Sequence, residues 1–168
     1  MSIADAIHTP HLHRPALARP LDLLAAVLGA LAAPFALATR LYVSWQFLKS
    51  GWLKLASWDV TLDLFRYEYH TPVLPPEIAA VAGTAGELLF PVLLILGLAG
   101  RLSAVGLFAV NVMAVVSYAH VLLSEGFEAA IGQHYLWGFM LAMLAVYGPG
   151  AWSVDRWLAP RLGASRAW

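Results

Sequence analysis

The stretch IAAVAGTAGELLFPVLLILGL, residues 78–98, decides the fold of this chain. Apart from one threonine and one glutamate, every residue in it is apolar or small. An α-helix needs about 20 such residues to cross the hydrocarbon core of a bilayer, and it satisfies its own backbone hydrogen bonds there. We therefore expect this stretch to form a transmembrane helix.

Three further stretches have the length and apolar character of a span, namely residues 35–56, 101–123 and 133–147. A shorter apolar run, residues 21–33, ends at Pro34 and cannot span on its own. We expect it to form an interfacial helix, and the alternative is a tilted extension of the first span. The predicted fold class is an all-α membrane protein: an antiparallel four-helix transmembrane bundle with an extra N-terminal interfacial helix.

The composition supports lipid as the solvent for much of the surface. Of the 168 residues, 61% are apolar and only 12% are charged, which is too few charges to cover a soluble domain. The formal net charge of zero gives no support to a nucleic-acid partner. The absence of cysteine excludes disulfides and cysteine-ligated clusters, so any redox chemistry needs a bound cofactor or a partner chain.

The distribution of charge predicts the orientation. Basic residues mark the N-terminal tail, the second connection at Arg101 and the C-terminal tail, whereas the first loop, from Ser57 to Glu77, is mainly acidic. The positive-inside rule then places both termini in the cytoplasm and this loop outside. We expect four segments: residues 1–20 as a flexible cytoplasmic tail, 21–33 as the interfacial helix, 34–158 as the membrane domain and 159–168 as a cytoplasmic tail.

Four motifs in order resemble the DoxX family of small four-helix membrane proteins. They are GWLKL at residues 51–55, FRYEYHTPVLPPE in the first loop, AGELLFPVLLILGLAGR in the second span, and HYLWGFMLAMLAVYGPGAWSVDRWL from the fourth span onward. The resemblance covers about residues 37–158. It implies a location in the bacterial or archaeal cytoplasmic membrane. It also implies, as for some members, a link to quinone-coupled oxidation of sulfur compounds or to redox-stress complexes.

These observations predict a membrane component of a redox system that binds a quinone or quinol near the outer face. Such a component is expected to act as a subunit of a quinone-linked oxidoreductase. The alternative is a non-enzymatic scaffold that docks a redox or metal-handling protein on the loop between Ser57 and Glu77. A transporter is less favoured, because the sequence shows neither an inverted repeat nor paired broken helices.

Glu87 is the sharpest candidate for chemistry, because it lies about nine residues into the second span, roughly 13 Å deep. Lys49 lies roughly 10 Å deep in the first span, and we expect the two to pair. An unpaired charge at such depth costs at least ~2.5–3.5 kcal/mol. Glu87 could carry a proton or bind a quinone carbonyl, and the structural alternative is a buried polar clasp that fixes helix register.

A second group gathers near the predicted outer face. Lys54, His120 and His134 lie at the outer ends of the first, third and fourth spans. Imidazoles titrate near neutral pH, so His120 and His134, with Glu87, are the predicted catalytic residues. The predicted cofactor-binding residues are Lys49, Trp52, Lys54, Tyr118 and Tyr135. Ordinary interfacial His and Tyr side chains are the alternative, and no metal ligands are assigned because a His-x-x-x-His spacing is missing.

We expect three polar residues within the spans to have structural roles. Arg40 and Arg101 are expected to extend to the cytoplasmic interface. Asn111, in the middle of the third span, is expected to form a hydrogen bond across the bundle.

Overall fold

A computed structural model describes residues 18–161, and this part of the chain is helical with no strand. The expected tails, residues 1–20 and 159–168, lie largely outside the described residues. The helices are α1 (Ala18–Ala56), α2 (Trp58–Asp63), a π-helical turn (Leu64–Glu68), α3 (Pro76–Leu96), α4 (Gly100–Ser117), α5 (Ala119–Leu122), α6 (Glu128–Tyr147) and α7 (Val154–Leu158).

Four of these helices, α1, α3, α4 and α6, are long and apolar enough to cross a membrane, as the hydropathy of the sequence predicts. Proline helps to set the start of α3, because Pro76 lies in its first turn, where a missing N–H costs nothing. Pro34 and Pro91 lie inside α1 and α3 without ending them.

The chain divides into two compact units, Met1–Ala32 and Ala33–Trp168. The described part of the first unit is the start of α1, in which residues 19–32 are all exposed although most are apolar. Residues 21–33 therefore belong to one continuous helix, and a separate N-terminal helix is not confirmed. The rest of the description concerns the second unit.

One end of the second unit, which we name the turn end, consists of residues 97–100 and 148–155. Gly97 ends α3 in the left-handed conformation (φ 66°), and a Cβ there would collide with Arg40 and Ser153. The carboxylate of Asp155 accepts hydrogen bonds from the backbone N–H groups of Ala99 and Gly100, at 2.8 and 2.7 Å. A negative charge thereby caps the start of α4, where the helix dipole favours it.

Arg40 corrects the expectation drawn from the sequence, since it is fully buried instead of extending to an interface. Its guanidinium donates to the carbonyl oxygens of Leu94 and Ile95, each at 3.3 Å, and to that of Trp152. The last carbonyls of a helix lack partners within it, so a cation there both completes hydrogen bonds and opposes the dipole. Arg40 thus fastens α1 to the end of α3 and to the C-terminal segment.

The main apolar core lies beside the turn end. Its buried members come from all four long helices: Val43, Phe47, Leu94, Ala104, Leu107, Leu141 and Leu144. Close packing is helped by Gly106, where a Cβ would collide with the ring of Phe90. Small residues at helix contacts allow such approach in membrane proteins.

The opposite end, which we name the loop end, consists of α2, the π-helical turn and residues 69–75. Phe65 in the π-helical turn packs against Ala79 and Ala80 at the start of α3. The backbone N–H of His70 donates to the carbonyl oxygen of Ser117 at 2.8 Å, which fixes the segment to the end of α4. The loop is therefore folded onto the helices instead of extending away from them.

Candidate functional site

A cavity of about 530 Å³ lies at the loop end, between α1, α3, α4 and α6. Its walls are mainly apolar, and its polar side chains include Ser50, Lys54, Glu87 and His134. Small-ligand sites in proteins are usually about 300–1,000 Å³, largely apolar, with a few polar groups that fix orientation. The cavity has these properties, and it is the candidate functional site.

The polar centre of the cavity is an ion pair between Lys54 and Glu87. The Lys54 Nζ lies 2.6 Å from each carboxylate oxygen and also donates to the Ser50 hydroxyl at 2.9 Å. The two charged side chains are only 14% and 8% exposed. Gly51 permits this contact, because a Cβ at that position would lie 2.9–3.0 Å from Leu88 and Glu87 and would push α1 away from α3.

The predicted pairing of Lys49 with Glu87 is wrong, since Lys54 takes that position. Lys49 is exposed and lies on the surface with Trp45 and Leu88. The reason is angular: five residues rotate a helix by about 140° beyond a full turn, so Lys49 and Lys54 face different directions. Ser50 and Lys54, four residues apart, share the face that meets α3.

His134 is held by Asn111, which lies mid-helix in α4. The Asn111 Nδ2 donates to the His134 carbonyl oxygen at 3.0 Å, and its Oδ1 lies 2.8 Å from the His134 Nδ1. A carbonyl only accepts, so the amide orientation is fixed, and Nδ1 must be the donor to Oδ1. In the neutral imidazole, Nε2 then carries the lone pair. The predicted hydrogen bond of Asn111 between helices is confirmed.

Aromatic rings from the loop cover the cavity. Tyr69 contacts Phe65 and Tyr118 edge to face, with ring centroids 4.9 and 5.2 Å apart, and all three rings line the cavity. Burial raises the pKa of Tyr69 above its ordinary value, and the negative charge of Glu87 adds to this. Tyr69 therefore stays a neutral phenol.

The cavity brings together four of the eight residues that the sequence nominated: Lys54, Glu87, Tyr118 and His134. The other four lie outside its walls. Trp52 and Lys49 share a surface depression on α1, and Tyr135 is 64% exposed. His120 is exposed and stacks on His70, with ring centroids 4.4 Å apart.

Sequence reasoning missed several wall residues. Trp137 contacts both Phe47 and His134 edge to face, with ring centroids 5.6 and 4.9 Å apart. Ser50 was missed as well, although its spacing of four residues from Lys54 was a usable signal. Within residues 18–161, no three His, Asp or Glu side chains lie close enough together to hold a metal ion.

A family model described as DoxX matches residues 35–120. No curated protein and no solved structure matches the chain. The matched range contains Lys54, Glu87 and Tyr118 and ends before α6, which carries His134. With four helices able to span a bilayer, this match indicates an integral membrane protein. Because the matched range covers just over half of the chain, the protein belongs to the DoxX family.

Proposed function

We propose that this protein is a membrane component of a redox system that holds the head group of a quinone or quinol in the cavity. The observation that carries the proposal is the buried Lys54–Glu87 ion pair in the wall of an otherwise mainly apolar cavity of about 530 Å³. Removal of two charged side chains from water costs free energy. A polar ligand that forms hydrogen bonds with the ion pair offsets part of this cost.

The residues present fit the chemistry of a quinone. A quinone ring has two carbonyl oxygens that accept hydrogen bonds, and reduction turns both into hydroxyls that donate. Lys54 can donate to a carbonyl oxygen, while Glu87 and the Nε2 of His134 can accept from a hydroxyl. The aromatic rings of Phe65, Tyr69 and the neighbouring walls suit the flat face of such a ring.

The remainder of the proposal concerns the setting of the site. We place the four long helices as an antiparallel bundle in a bacterial or archaeal cytoplasmic membrane, with both termini inside. Basic residues near the chain ends and at Arg101 support that orientation, and it puts the loop end outside. Electrons reach the ring from a partner subunit with its own redox cofactor, which makes this chain the quinone-holding subunit of an oxidoreductase.

Three variants test the site, using the purified protein in lipid nanodiscs and a quinone with a long apolar tail. Lys54→Gln and Glu87→Gln should each weaken quinone binding by at least about tenfold, because a hydrogen bond to a charged group contributes about 1.5–3 kcal/mol. Lys49→Gln is the matched control on the same helix and should bind as the wild type does. Unchanged binding in both Lys54→Gln and Glu87→Gln contradicts the proposal.

A second function, docking of a partner protein, is favoured by the surface of the loop. Val73 is 99% exposed and has a φ of 71°, a conformation that is strained for a β-branched residue, and Tyr67 is 77% exposed. Strained, exposed residues concentrate at functional sites. Pull-down of one stoichiometric partner that is lost in Tyr67→Ala and Val73→Asp, with quinone binding intact, supports a scaffold role. Equal recovery of the partner with both variants argues against it.

A further inference from the structure

The cavity is in contact with the lipid-facing side of α3. The exposed apolar residues of this helix recur at helical spacing, as in Ile78, Ala82, Ala85 and Leu89. Such a stripe faces the solvent, which for a spanning helix is lipid. Ala82 belongs to this stripe and also lines the cavity, so the cavity wall and the outer surface meet there.

The facing side of α4 repeats this arrangement. Val105, Ala109, Val112 and Val116 are exposed at helical spacing, and Ala109 also lines the cavity. Two alanines, one on each helix, therefore lie where the cavity wall meets the exposed surface, and we name the space between them the gap. An alanine side chain is too short to bridge it.

The gap ends at the level of Ala109. Gly86 packs against Val110, the residue after Ala109, and Gly106 packs against the ring of Phe90, so α3 and α4 are in close contact at the level of Ala109 and from there toward the turn end. Beyond Ala82 and Ala109, the border is completed by the apolar side chains of Leu74 and Met113. A border with no charged side chain suits a hydrocarbon chain better than a water-soluble molecule.

We infer that the cavity receives its ligand sideways from the bilayer, through the gap bordered by Ala82 and Ala109. The ligand class is an amphiphile whose polar ring lies at Lys54 and Glu87 and whose long apolar tail leaves through this gap into lipid. The inference rests on the proposed function for the ring, and it adds the tail and the route. A hydrophilic quinone that enters from water has no need of the gap.

The test compares two probes on the full-length protein in lipid nanodiscs: a substituted benzoquinone with a decyl tail, and the same ring without the tail. Ala109→Trp should weaken binding of the decyl quinone about tenfold more than it weakens binding of the tailless ring. Ala85→Trp is the matched control, since Ala85 lies on the lipid-facing stripe but does not line the cavity. It should leave both affinities unchanged.

A block applied after folding removes any doubt about misfolded tryptophan variants. The chain contains no cysteine, so Ala109→Cys offers a single thiol for a bulky maleimide, and Ala85→Cys offers the control. Labelling at position 109 should likewise weaken binding of the decyl quinone more than binding of the tailless ring. Equal affinity for the decyl quinone before and after labelling contradicts the proposed entry through the gap. The proposed function still stands in that case if Lys54→Gln weakens quinone binding. Equal loss for both probes also contradicts entry through the gap, and failure of the wild type to bind either probe overturns both proposals.

Discussion

The turn end and the loop end each hold a buried cation, but the surroundings of the two cations differ. At the turn end, Arg40 is enclosed and donates to three backbone carbonyls, which cannot leave or change charge. At the loop end, Lys54 meets a carboxylate on the wall of a cavity. A buried charge that is fully enclosed, such as Arg40, stabilises the packing of the helices. A buried charge with a cavity beside it, such as Lys54, is also available to bind a ligand.

The largest expected effect tests the architectural role of the turn end. Arg40→Met should lower the free energy of unfolding by at least about 4.5 kcal/mol, because hydrogen bonds to a charged group are each worth about 1.5–3 kcal/mol and three carbonyls lose their donor. Equilibrium unfolding in detergent measures this. The quinone affinity of the molecules that remain folded should not change. A loss of unfolding free energy below about 1 kcal/mol contradicts the structural role assigned to Arg40.

A smaller effect compares packing at the two ends with substitutions on the same helix. Leu107→Ala should cost about 3 kcal/mol of unfolding free energy, because Leu107 is fully buried in the core. Met113→Ala should cost below about 1 kcal/mol, since Met113 borders the cavity and is 40% exposed. Similar costs for both variants, measured in the same detergent, show that the loop end is as tightly packed as the turn end.

The smallest effect concerns pH at the loop end. Because the folded state raises the pKa of Tyr69 above 10.0, the unfolded chain loses that proton first as the pH rises. The unfolding free energy therefore falls as the pH increases above this value. Tyr69→Phe should remove that part of the decline in a pH series of thermal unfolding. Tyr135→Phe, at an exposed position on α6, is the control and should follow the wild type.

The sequence predicted the four candidate spans because hydropathy is a property of whole segments. Lipid imposes length and apolar content on every span, so the spans could be placed without knowledge of their neighbours. The end of α3 at Leu96 lies two residues before the predicted end of that span at residue 98, because Gly97 stops the helix in the left-handed conformation. What hydropathy did not supply is the direction that each side chain faces.

That missing direction explains the errors at the site. The predicted depth of Lys49 in the membrane suggested it as the partner of Glu87. Lys54 is the partner instead, because its side chain is on the face of α1 that meets α3. The burial of Arg40 could not be predicted, because its acceptors are backbone carbonyls 54–112 residues away in the chain. Every residue has a backbone carbonyl, so the sequence does not indicate which ones accept. Asn111 was predicted correctly to bond between helices, but its partner His134 could be found only from the packing.

The enclosure of Arg40 has a consequence for biosynthesis. The acceptor on Trp152 is 112 residues downstream, so at about 5–20 residues per second it is synthesised roughly 6–22 s after the arginine. The carbonyl oxygens of Leu94 and Ile95 are made about halfway through that interval, and the set of acceptors remains incomplete until Trp152 is made. The enclosure of Arg40 can therefore be completed only after the chain has been synthesised beyond Trp152.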